Sequence, residues 1–129
     1  MIGFIASAFD FLHAGHLLSL REMKRHCDYL IVGLHVDPSK EHKDKNKPVE
    51  SLLERQLRLR ACKYVDEIIV YETERDLEII LANMYIDKRF LGSEYKNKHI
   101  TGENLVPITF IDRAHDYSSS GLRERIKKA

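Results

Sequence analysis

The sequence has almost no net charge. Its 21 lysines and arginines are nearly matched by 20 aspartates and glutamates, leaving a formal charge of +1. No global field therefore recruits nucleic acid, and any phosphate binding must come from a local basic cluster. Cysteine is scarce. Cys27 and Cys62 are the only two, they form no CxxC pair, and each falls near the end of an expected helix. Reduced, partly buried thiols follow. Long hydrophobic runs are missing as well. Met1 to Ala8 is mostly apolar, but it carries no basic leader and is too short for a secretory core or a membrane span, so the expectation is a cytoplasmic protein with no membrane partner. No repeat, linker or low-complexity tract breaks the 129 residues, and a single domain over 1–129 is expected. What remains, 43% hydrophobic and 32% charged residues, is a globular balance.

The apolar residues that are present fall into a repeating order. Ile2 to Ala6 and Tyr29 to Leu34 have the length of buried parallel strands. Between them Leu17, Leu20 and Met23 recur at helical spacing, with Arg21, Lys24 and Arg25 on the wet face. Pro38 to Val49 has no apolar period and holds Lys40, Lys43, Lys45 and Lys47, so it reads as a long basic loop. Ser51 to Glu54 is a capping box, after which Leu53, Leu57 and Ala61 continue a helical stripe. Glu67 to Tyr71 supplies a third strand, and Thr73 caps a helix carrying Leu77, Ile80 and Leu81. Arg89 to Leu91 and Val106 to Ile111 supply two more strands, and Ser118-Ser119-Ser120 opens a last helix ending in Lys127 and Lys128. Strands alternating with helices imply an α/β fold: a Rossmann-like, doubly wound, five-stranded parallel sheet covered on both faces. Ligands in such sheets bind outside the carboxyl ends of the strands, where strand order reverses. The loop after the first strand is the prime location.

Ser7 to His16 occupies that loop. His13 and His16 stand three residues apart at a helix start, so both imidazoles share one face. Free amides and the positive end of the helix dipole favour an anion there, and two imidazole donors add directional contacts to phosphate oxygens. Gly15, without a Cβ, lets a nucleotide approach the backbone, and Asp10 is suited to orient a histidine or hold a metal through water. An arbitrary HxxH pair is more often just polar helix-start chemistry. Zinc needs a third and fourth ligand, and no spaced Cys/His pair offers them.

The full string Phe9-Asp10-x-Leu12-His13-x-Gly15-His16 resembles the signature of the cytidylyltransferase-like nucleotidyltransferases. The likeness continues through Asp28 to Leu34, Glu54-Arg55, Tyr64 to Glu67 and Ser118 to Ser120, and is greatest to the glycerol-3-phosphate cytidylyltransferases. It implies a transferase with His13 and His16 on the α- and β-phosphates. Lys43 and Lys45 are implied as catalytic lysines, and Lys47 remains open as an alternative or an acceptor ligand. Ser7, Ala8, Phe9, Asp10, Gly15, Gly92 and Glu94 are implied to line the nucleotide site. Arg113 followed by Ser118, Ser119 and Ser120 resembles the family's Arg-x-x-x-x-Ser-Thr-Thr segment, which holds the β- and γ-phosphates, and Arg123 is placed to assist. Arg55 is read equally well as an acceptor ligand or as a surface ion pair. Three departures stand out: Ser7-Ala8 replaces Gly-Thr or Gly-Cys, Gly92-Ser93-Glu94-Tyr95 replaces Gly-Asp-Asp-Trp, and Lys63 replaces an arginine.

The reaction so implied moves CMP from CTP to a phosphorylated small alcohol such as glycerol 3-phosphate, with Mg²⁺ as cofactor and pyrophosphate as leaving group. The partners are thus a nucleotide, a phosphorylated acceptor and, from the resemblance, a second copy in a homodimer meeting near Tyr64-Val65-Asp66. The nearest alternative is an adenylyltransferase using ATP and a sugar phosphate. A regulatory protein that had lost turnover would be expected to lack a catalytic histidine, and both are present. A nucleic-acid module would interleave aromatics with its lysines, and this chain does not.

Overall fold

The computed structural model describes residues 1–112 and 119–128. Five strands, β1 (Ile2–Ser7), β2 (Tyr29–His35), β3 (Glu67–Tyr71), β4 (Lys88–Gly92) and β5 (Ile108–Ile111), form one sheet in the order β3-β2-β1-β4-β5, every pair parallel. Four α-helices are described: α1 (Ala14–Arg25), α2 (Leu52–Arg60), α3 (Glu74–Asn83) and α4 (Ser119–Lys128). The chain winds outward from β1 to β3, then returns to add β4 and β5 on the other side of β1. Strand order reverses between β1 and β4, which opens a crevice above their carboxyl ends. The Rossmann-like, doubly wound parallel sheet expected from the sequence is therefore present.

Alternation along the strands divides the core in two. Ile5, Leu30, Val32, Leu34 and Phe90 face α1 and α2, meeting Leu20, Met23 and Leu59. Phe4, Ile31 and Tyr71 face the other way, against Leu77 and Leu81 of α3. Each helix start is fixed by its own sequence: Ser51 and Glu54 form a reciprocal capping box at α2, and Thr73 with Asp76 does the same at α3. In the latter, the N–H groups of Thr73 and Glu72 donate to the Asp76 carboxylate and hold its pKa below the usual range. Among the described residues, no helix is long and apolar enough to cross a membrane.

The stripe on α2 differs from the sequence reading. Leu53 and Leu57 are 64% and 58% exposed, while Leu52 packs on the core and Arg55 and Leu59 are buried. Both sets of positions follow helical spacing, and hydrophobicity alone chooses the wrong one. The inner face is set instead by an arginine whose polar head finds partners inside. The fifth strand is also shorter than expected, beginning at Ile108 rather than Val106.

Candidate active site

The turn after β1 is held in a conformation that its sequence does not favour. Phe9 and Phe11 have φ of 48° and 50°, the left-handed region, on either side of Asp10. For residues with a Cβ this costs about 1–2 kcal/mol each, so neighbouring contacts must impose it. They are visible. The Asp10 carboxylate accepts the N–H of Val49 at 2.9 Å and of Glu50 at 3.0 Å, and the Phe11 N–H donates to Glu50 Oε1 at 2.7 Å. Arg58 Nε closes on Glu50 Oε2 at 2.9 Å. Asp10 thus fastens the far end of the basic loop to the first turn.

Arg55 lies beneath this turn and is only 2% exposed. Its guanidinium donates to four carbonyls: Glu50 at 3.3 Å, Ala8 at 3.0 Å, His35 at 2.7 Å and Val36 at 2.7 Å. Burial pushes its pKa down, and Asp10, Asp37 and Glu50 oppose that by their charge. These contacts correct the surface ion-pair reading: Arg55 is buried, and four of its five N–H donors are turned to backbone carbonyls. It joins the ends of β1 and β2 to the start of α2.

The two histidines are fixed by the helix they begin. His13 is the N-cap of α1: its Nδ1 accepts the Gly15 N–H at 3.0 Å, and His16 Nδ1 accepts the His13 N–H at 3.2 Å. This is a capping box built from imidazoles instead of Ser and Glu. The rings stack with centroids 3.9 Å apart, and Phe9 meets His16 edge-on at 5.3 Å. A nitrogen that accepts a backbone N–H cannot carry the proton in the neutral ring, so each imidazole is held as the tautomer protonated at Nε2. The local fold selects two parallel donors at the positive end of a helix.

Two connected hollows flank the sheet edge. One, of about 230 Å³, is lined by Ser7, Phe9, His13, Gly15, His16 and Gly92. The other, of about 700 Å³, lies on the α3 side and includes Ala8, Asp10, His35, His42, Tyr71 and Arg89 in its walls. Ser7, Phe9, Glu94 and Tyr95 border both. Glu94 folds back over Gly92, where a Cβ would lie 2.3 Å from Glu94 Oε2, so a larger residue there would move the Glu94 carboxylate.

The basic loop bridges the larger hollow. Its near end is a short turn, Pro38–Lys40, capped by Asp37, and it is tied to α3 by Glu41, which accepts the Glu74 N–H, and by His42, whose Nε2 lies 2.7 Å from Glu74 Oε1. Lys45 Nζ reaches across to the Tyr95 hydroxyl at 3.2 Å, and this contact raises its pKa above the ordinary lysine value. Of the three lysines singled out in the sequence, all exposed, Lys45 lines the larger hollow, whereas Lys43 and Lys47 line neither. Arg113 and Ser118 lie outside the described residues, as do the side chains of Ser119, Ser120 and Arg123. The backbone of Ser119 and Ser120 forms the first turn of α4.

Sequence reasoning missed His35, His42, Tyr71, Arg89 and Tyr95 in the larger hollow. Arg89 did carry a signal, a cation inside an apolar strand. The others lacked one, because their meeting depends on the register of β2 with β3, in which His35 pairs with Tyr71 and stacks on its ring at 4.5 Å.

A family model described as cytidylyltransferase-like matches residues 4–125. The bifunctional protein HldE of Campylobacter jejuni (strain RM1221) is 36% identical over 98% of this chain, and the chain spans 28% of its length. A probable ethanolamine-phosphate cytidylyltransferase of Encephalitozoon cuniculi is 49% identical over 52% of this chain, covering 21% of its own. The chain thus corresponds to about a quarter of these longer relatives. Among solved structures, a lipopolysaccharide core biosynthesis protein from Thermoplasma volcanium superposes with a TM-score of 0.69 at 23% identity, over 92% of this chain and 98% of that one. A pantothenate synthetase from Thermus thermophilus shares the fold at TM-score 0.62 and 14% identity, over 99% of this chain and 64% of that one. With the family match running from β1 into α4, the chain belongs to the cytidylyltransferase-like family of nucleotidyltransferases.

Proposed function

We propose that this protein transfers CMP from CTP to a phosphorylated small alcohol such as glycerol 3-phosphate, releasing pyrophosphate. The observation that carries the reading is the pair of stacked imidazoles that cap α1 through their Nδ1 atoms, leaving Nε2–H as the donor of each, beside the crevice where strand order reverses. An oxygen of the acceptor phosphate attacks the α-phosphorus in line, a new P–O bond forms, and the bond to the β-phosphate oxygen breaks. The attacking oxygen is already ionised, so the chain's work is positioning and neutralising charge that grows on the phosphates. His13 and His16 donate to those phosphates, and Lys45, charged and already across the hollow, meets the shared edge of the two substrates.

Mg²⁺ fits this site as a companion of the triphosphate. It takes one or two carboxylates with phosphate oxygens and keeps several waters. Glu94, which borders both hollows, is the carboxylate that would hold it. When bound, the ion supplies further neutralisation of phosphate charge. Asp10 is spent on the loop backbone. The Nε–H groups of both histidines and the amides of α1 orient the phosphates.

The same proposal includes a cytoplasmic homodimer with Tyr64 to Asp66 near its contact, which sedimentation velocity tests. The choice of base is tested by a thermal-shift panel of CTP, ATP, GTP and UTP with Mg²⁺, since a ligand bound by the folded state alone stabilises it by mass action. CTP is expected to give the largest shift and to support pyrophosphate release with glycerol 3-phosphate or another phospho-alcohol. A shift with ATP alone replaces CTP by ATP, and no pyrophosphate release with any nucleotide and acceptor removes the enzymatic reading.

A further inference from the structure

Arg89 is a buried cation that the machinery above does not use. It is 4% exposed and sits on β4 beside Phe4 of β1, in a wall that also contains Tyr71, Leu77 and Ile100. Its Nη1 donates to the Thr101 carbonyl, and among the described residues its Nε has no hydrogen-bond partner and no ion pair includes it. Glu74, the carboxylate that influences it most, is engaged by His42. Folded chains avoid leaving an arginine in such surroundings, because desolvating a charge without a counter-ion is costly. The cost is recovered when a ligand brings the missing anion.

The position of Arg89 says which part of a ligand that is. Its backbone is level with Phe4, three residues before Ser7 at the reactive edge, or about 10 Å deeper at strand spacing. The hollow of about 700 Å³ is large enough to hold a small molecule from rim to floor. Resting on the nucleotidyl-transfer reading, we propose that Arg89 is the anion anchor for the end of the acceptor remote from the attacking oxygen. The preferred acceptor is then a phospho-alcohol that carries a second oxyanion, of carboxylate or phosphate type, with glycerol 3-phosphate a poorer member of the class. Guanidinium suits this role because its planar N–H groups meet either oxyanion in pairs.

The test compares matched acceptors in the wild-type protein and in Arg89→Met. The pairs are phosphoserine against phosphoethanolamine, 3-phosphoglycerate against glycerol 3-phosphate, and a bisphosphate against its monophosphate. The wild type is expected to favour the second oxyanion at least tenfold in kcat/KM. Arg89→Met should erase that preference through acceptor KM while leaving nucleotide KM unchanged, and the carboxylate and bisphosphate arms show which oxyanion fits. A second arm needs no turnover: inorganic phosphate binding, read by calorimetry, should persist in Arg89→Lys but lose one site in Arg89→Met. Without phosphate, Arg89→Met should melt at or above the wild-type temperature, as expected when an unpaired buried charge is removed. An unchanged acceptor preference in Arg89→Met overturns the inference and leaves the transferase reading standing. Wild-type inactivity with every acceptor removes that reading, and the phosphate arm then decides on Arg89: full phosphate binding with a lower melting temperature in Arg89→Met would mark it as structural.

Discussion

Replacing Arg55 by alanine asks whether the buried guanidinium is a structural tie or an acceptor ligand. The side chain serves four carbonyls, belonging to Ala8, His35, Val36 and Glu50. Net contributions of about 1.5–3 kcal/mol per charged hydrogen bond would sum to more than the site can give, because such bonds are not additive and the variant is relieved of a buried cation. Breaking a buried charged cluster typically costs about 3–5 kcal/mol, and Asp10, Asp37 and Glu50 lose a compensating charge at the same time. Against a total stability of about 5–15 kcal/mol this is a large fraction. For a chain of this length it corresponds to a melting temperature lower by roughly 10–20 °C. Urea unfolding followed by circular dichroism should show the midpoint falling with an unchanged slope. Arg55→Lys, with three donors on one nitrogen, cannot reach all four carbonyls and should lie between the two. A variant within about 3 °C of wild type whose only defect is a raised acceptor KM would refute the reasoning and restore Arg55 to the substrate.

Three further outcomes are expected. His16→Ala removes one oriented phosphate donor and should lower turnover roughly a hundred- to a thousand-fold with the fold retained, as steady-state kinetics and circular dichroism together would show; near-normal turnover contradicts the assignment. Lys45→Ala should reduce turnover far more than Lys43→Ala or Lys47→Ala, because Lys45 alone of the three lines the hollow; equal losses in rate assays would remove that distinction. The Asp76 carboxylate has its pKa lowered by the backbone N–H groups of Thr73 and Glu72, so its contribution is complete above about pH 4 and is lost as pH falls through the depressed value. Asp76→Asn should therefore melt below wild type at neutral pH, with the gap closing under acid conditions; a gap that does not change with pH would place the effect elsewhere.

The sheet was legible because buried parallel strands and amphipathic helices write their periods directly, as Ile2 to Ala6 and Leu20 with Met23 illustrate. The first turn was legible as a motif, since His13, Gly15 and His16 are close in sequence and their geometry is local. The polar interior was not. Arg55 reads as a surface residue until its four carbonyl partners, drawn from three separate segments, are brought together. The choice among Lys43, Lys45 and Lys47 depends on the path of an irregular loop, which no hydrophobic period records. The larger hollow draws on β1, β2, β3, β4 and the segment around Ile100. Its composition is a property of strand order, and strand order is long-range.

The basic loop is pinned at both ends, by His42 and Glu41 to the start of α3 and by the Val49 and Glu50 amides to Asp10. Between those pins, Lys43 to Pro48 behaves as a strap of fixed attachment and variable length. Adding or deleting a residue there changes how far Lys45 reaches, while the anchoring hydrogen bonds themselves lie outside the altered segment. An insertion at Val49 or Glu50 instead releases the strained turn that presents the histidines. Chain length in one short segment thus sets the reach of Lys45 across the hollow, separately from the anchors that hold the first turn.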